Sequence, residues 1–216
     1  MKQRRTLRAL KRRSRRGYTI VELMMAIAVF AIGVSGVIAM QKVTLASNRH
    51  AKNLAVANHI AQAWMERLAA DAAQWNYPGP RNPSAASDLG TDTTWLKEVD
   101  NEADWFQPDY VPAEDFGAAF TALGAPLNTA ANVNAVPAFC THIRLTWLNR
   151  DNQGAVGNGL IRAQVRVFWL REGNQGALDA NGFCSAATDA VELGRHPELY
   201  HFVYQASAIR QEPAGR

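Results

Sequence analysis

Arg15-Arg16-Gly17-Tyr18-Thr19-Ile20-Val21-Glu22 runs straight into an apolar stretch from Leu23 to Met40 that holds no charged residue. As a helix, a run of that length rises about 27 Å, close to the roughly 30 Å hydrocarbon core of a bilayer. The carboxylate of Glu22 stands at the edge of this span. There it costs less than the roughly 2.5–3.5 kcal/mol of an acid at mid-membrane, but it still needs a reason. Thr19-Ile20-Val21-Glu22 fits the capping box, in which the acid three residues on bonds back to the Thr main chain. That pattern accounts for Glu22 alone. It leaves Gly17-Tyr18 and the residues before them unexplained.

Working backward, residues 1–17 carry nine Lys or Arg and no acid. So many positive charges directly before a membrane-length run hold the N-terminus on the cytoplasmic side. An ordinary secretory peptide is a poor fit, because the leader is too polar and only a weak small-residue cleavage site, around Ala39, follows the apolar run. The whole chain is basic, with a pI of 9.3. Without residues 1–17, however, 14 basic residues face 19 acidic ones, a formal charge of −5. The basic pI therefore belongs to the leader, and no nucleic-acid partner is expected for the remainder.

The segment resembles the class III signal of type IV prepilins. In that family a membrane aspartic peptidase cuts after glycine, the new N-terminal residue is methylated, and the fifth mature residue is Glu. The matching positions are Gly17, Tyr18 and Glu22, with Tyr where the family most often has Phe. Gly33-Val34-Ser35-Gly36 followed by Val37-Ile38 and then Gln41 is similar to the PilV-type minor pilins. The resemblance covers roughly the first third of the chain. It implies a cleaved leader (1–17), inner-membrane residence with everything after Gln41 outside, and later display on a surface pilus. The implied partners are the prepilin peptidase, major and other minor pilins, the assembly platform and the membrane itself. No cofactor is implied.

Working forward, no proline occurs between Tyr18 and Tyr77, and Leu54, Ala57, Ala61, Trp64, Leu68, Ala72 and Trp75 recur at helical spacing. One continuous helix is predicted over 18–75, membrane-embedded at about 23–40 and amphipathic beyond, stopped by Pro78-Gly79-Pro80. Residues 76–137 read as an irregular connection, with a short helix around Trp95–Phe106 and the acids Glu98, Asp100, Glu102, Asp104, Asp109, Glu114 and Asp115. That connection is long for a compact domain. The acids lack the calcium-loop pattern and read as a solvated surface.

From Phe139 the period changes to two. Ile143, Leu145 and Trp147 form one alternating run, Ile161 to Trp169 a second, and Tyr200 to Ala206 a third. Asn149–Gly159 has hairpin-loop composition, and Asn181-Gly182 marks a turn. The expected fold is α+β: a long N-terminal helix packed on a small antiparallel sheet over 138–216, one face of it apolar. Cys140 and Cys184 lie in the exported part, where pairing into a C-terminal disulfide loop is expected over two buried free thiols.

No catalytic constellation is visible. His50, His59, His142, His196 and His201 have neither metal nor triad spacing, and no nucleotide fingerprint occurs. The expectation is a non-enzymatic minor pilin that joins a type IV pilus or primes its assembly. Alternatives left open are a minor pseudopilin of a type II secretion system and a pilus-borne adhesin or DNA-uptake pilin. Exposed Trp residues within 76–137 would speak for the adhesin.

Overall fold

The structure is a computed structural model that describes residues 17–76, 89–101, 104–128, 136–150, 159–171, 183–184 and 190–211. Residues 1–16, residues 151–158 of the expected hairpin loop, and Asn181-Gly182, where a turn is expected, lie outside this set. Two compact units divide the chain, Met1–Arg49 and His50–Arg216.

In the first unit, helix α1 (Ile20–Asn76) begins. It is long and apolar enough to cross a membrane, and none of its most apolar window is buried within the protein. Two hydroxyls in this part are satisfied locally. Ser35 Oγ donates to the Ile32 carbonyl at 2.8 Å, and Thr44 Oγ to that of Met40 at 2.9 Å, so neither brings an unpaired donor into an apolar setting. Gly33 and Gly36 are helical, and a Cβ on either would meet nothing within 4 Å.

The second unit is built on the rest of α1. Ala57, Ile60, Ala61, Trp64, Leu68, Ala72 and Trp75 form its buried stripe. Leu54 departs from the predicted stripe, with 40% of its surface exposed. Strands β1 (Ala119–Phe120), β2 (Phe139–Asn149), β3 (Leu160–Leu170) and β4 (Tyr200–Arg210) make an antiparallel sheet in the order β1-β2-β3-β4. Alternation sends Ile143, Leu145, Ile161, Ala163, Val165, Val167, Val203 and Ile209 into the same core as the α1 stripe. The α+β architecture predicted from the two periodicities is the one observed.

Two departures are instructive. Instead of one short helix over Trp95–Phe106, helix α2 (Leu89–Asp92) and a 3-10 turn (Leu96–Asp100) form, and Phe106 bridges to Ile143 beside β2. The outer face of the sheet is also partly buried. Cys140, Phe168 and Tyr200 pack there with Phe183 and with Leu193 of helix α3 (Ala190–Arg195), in a second apolar cluster. Beside it the same face gathers Arg144, Arg162, Arg166 and Arg210, a basic grouping the linear sequence hides. Arg144 and Arg166 flank the Trp105 ring at 5.1 and 4.5 Å, and Arg166 reaches His142 Nδ1 at 2.8 Å.

Candidate functional site

Gly17, Tyr18 and Thr19 are non-helical and exposed. A Cβ added at Gly17 would touch nothing within 4 Å, so nothing in the described fold demands glycine there. At the helix start, Thr19 Oγ1 accepts from the Glu22 N–H at 3.3 Å, and the Thr19 carbonyl accepts from the Leu23 N–H at 3.2 Å. Thr19 thus caps α1, and its hydroxyl satisfies the Glu22 N–H, a donor that would otherwise be orphaned. The reciprocal half of the capping box is missing. The exposed Glu22 side chain makes no hydrogen bond or ion pair among the described residues. The arrangement is an accessible Gly17–Tyr18 peptide bond followed, one helical turn on, by an uncommitted carboxylate.

Cys140, at the start of β2, and Cys184 are joined by a disulfide with a Cα–Cα distance of 5.3 Å. Both are buried in the outer-face cluster.

The acidic residues are dispersed among separate partners. Asp100 accepts from Trp147 Nε1 at 3.0 Å and from Arg150 at 2.8 Å, and Glu114 pairs with Arg67 at 2.5 Å. Asp115 accepts from the Tyr110 hydroxyl, a bond that pushes the Tyr110 pKa up. Asp104 lies 3.8 Å from Arg144. Among the described residues no group of three His, Cys, Asp or Glu is arranged to hold a metal.

A groove of roughly 520 Å³ is lined by Glu66, Arg67, Asp71, Gln74 and Trp95 among others, with the Arg67–Glu114 pair in its wall. Its Asp71 is committed to structure. One carboxylate oxygen accepts from the Thr94 N–H at 2.7 Å, and the other from the Trp95 and Leu96 N–H groups at 2.8 Å each. Sequence reasoning passed over Asp71. Its signal was an acid three residues after Leu68 and seven after Trp64, on the buried stripe where an acid is costly unless bonded. The histidines are scattered as well. The His50 and His201 rings lie 4.7 Å apart, tilted by 53°, His142 is buried against Arg166, and His196 sits 3.1 Å from Glu198.

Residues 12–38 match the family model of the prokaryotic N-terminal methylation motif. The match spans Gly17, Tyr18 and Glu22, and it supports a type IV pilin-like protein, pilin or pseudopilin, working in surface-filament assembly. It implies processing by a prepilin peptidase, and with the apolar half of α1 it fits membrane anchoring and surface display. The motif is that of structural filament proteins, and nothing positive points to catalysis. No curated protein and no solved structure matches the chain.

Proposed function

We propose that the chain is a minor pilin of the PilV type, which enters a type IV pilus or primes its assembly. The observation that carries the reading is the pairing of an open Gly17–Tyr18 bond with a spare Glu22 carboxylate at the start of α1. The leader, residues 1–17, is removed at that bond. Gly17 suits the peptidase cleft because it brings no side chain to the backbone approach. Hydrolysis leaves a positive ammonium on Tyr18, and methylation keeps the charge while weakening its hydration. Among packed apolar helices, Glu22 pairs with such an ammonium on its own or a neighbouring subunit. An ion pair in so dry a place serves register more than stability.

Before assembly the chain resides in the inner membrane, crossing once with its N-terminus cytoplasmic. Its partners are the prepilin peptidase, the assembly platform, and the major and other minor pilins. The adhesin reading loses its support from exposed Trp side chains. Trp95 is buried, and Trp105 is packed between Arg144, Arg166 and Tyr204.

Mass spectrometry of the N-terminal peptide, in sheared surface filaments and in the inner-membrane fraction, tests the proposal. N-methylated Tyr18 in the filaments is the expected result. Processed chain found only in the secretion machinery of the cell envelope points to a pseudopilin. A chain beginning at Met1 and confined to the membrane overturns both.

A further inference from the structure

The last strand of the sheet has one paired side and one bare side. Gln211 N–H donates to the Gly159 carbonyl at 2.8 Å, and Arg171 N–H to that of Leu199 at 2.9 Å. Between these bonds the β3–β4 register runs unshifted from Leu160–Arg210 to Leu170–Tyr200. An antiparallel ladder alternates, so the odd residues of β4 turn their N–H and C=O toward β3 and the even residues turn theirs away. The outward carbonyl of Tyr200 accepts from Arg171 Nε at 3.0 Å. Those of Phe202, Tyr204, Ala206, Ala208 and Arg210, with their N–H groups, meet no partner among the described residues.

Edge strands are normally blunted by Lys, Pro, inward charges or bulges. From Phe202 to Ile209 this strand carries no Lys, Pro, Asp or Glu, and its register shows no bulge. Tyr204 is 60% exposed, and Ala206, Ser207 and Ala208 are exposed. Such an edge is a template for another strand.

We infer that this edge of β4 pairs with the same edge of a second copy, antiparallel about a two-fold axis at Ala206. The strand's own pattern selects this occupant. The bare stretch runs from Phe202 to Arg210, and pairing centred on Ala206 uses all of it. On the outer face Tyr204 then lies opposite Ala208, large against small, and Phe202 opposite Arg210, ring against cation. On the helix-facing side Val203 meets Ile209, each 8% exposed in the single chain, and Gln205 meets Ser207, polar against polar. Every pair is complementary in size or polarity. The interface is isologous and closes on itself, so it yields a dimer in which both β4 edges are paired. The pairing requires only the folded sheet and stands whether or not the chain enters a filament.

Cysteine cross-linking of the full-length chain in membranes tests it. Paired Ala206 residues would place their Cα atoms about 5.5 Å apart, within disulfide reach. Ala208 and its own copy would be offset by four residues, about 13 Å along the strands. Under a mild oxidant, Ala206→Cys is expected to give at least tenfold more disulfide-linked dimer than Ala208→Cys, although both residues are exposed on the same face. Adding Ala208→Pro to Ala206→Cys removes an outward N–H without touching the β3 ladder. It is expected to abolish the dimer while the Cys140–Cys184 bond persists. Equal yields from the two cysteines, no dimer at Ala206, or an adduct with a different chain would overturn the inference. The Ala206 and Ala208 comparison decides alone if the proline variant fails to fold.

Discussion

Asp71 shows how much one side chain organises here. It holds three main-chain N–H groups, those of Thr94, Trp95 and Leu96, and fixes the 3-10 turn against α1. Removing the acceptor leaves those donors without their partner, at a cost of about 1–3 kcal/mol for each one left buried. Asp71→Ala should therefore lower stability by several kcal/mol and Asp71→Asn by less, read as a shift in the denaturant midpoint of the detergent-solubilised chain. His201 gives the second residue-scale expectation. Its pKa is lowered, first by burial and then by the charges of Arg171 and His50. Protonation is then less favourable folded than unfolded. This contribution to stability is fully present above the unfolded value of about 6.5 and is lost as pH falls below it. Melting curves between pH 7 and pH 5 should show a declining midpoint, and His201→Gln should flatten the decline.

At the scale of elements, the start of α1 couples sequence to fate. Gly17→Leu should accumulate uncleaved precursor on an immunoblot, since no contact within the described fold requires glycine there. Glu22→Ala should leave cleavage intact but deplete the chain from sheared filaments, because the Thr19 cap survives without the carboxylate. The periodicities of the long helix and of β2, β3 and β4 were legible because each element buries one stripe or face, and burial imposes its spacing on the residues. Strand β1, two residues long, was not. Too short to show a period, it owes its place to pairing with Phe139 and Cys140. The 3-10 turn was mistaken for a longer helix because its cap comes from Asp71, 25 residues before Leu96, and no local pattern reveals so distant a partner. Thr19 and Glu22 at the start of α1 were visible from the start. That only half of the capping box forms was not.

For the molecule as a whole, the disulfide is the longest-range covalent tie, closing a separation of 44 residues. In the chain-entropy view a loop of that size contributes about 4 kcal/mol. Cys140→Ala combined with Cys184→Ala should show a loss of that order by equilibrium unfolding. Net charge is silent on placement at this scale: strand pairing collects Arg144, Arg162, Arg166 and Arg210 on one face of a remainder that is acidic as a whole. Composition counts charges, and only strand register tells which of them become neighbours. The order of the strands along the chain also bears on how the protein is born. The ribosome delivers β2 and β3 before Tyr200–Arg210, so the central hairpin of the sheet and Cys140 emerge ahead of the last strand. In that interval β3 is the unguarded margin of a nascent sheet, and the arrival of β4 hands that exposure to the chain's final strand.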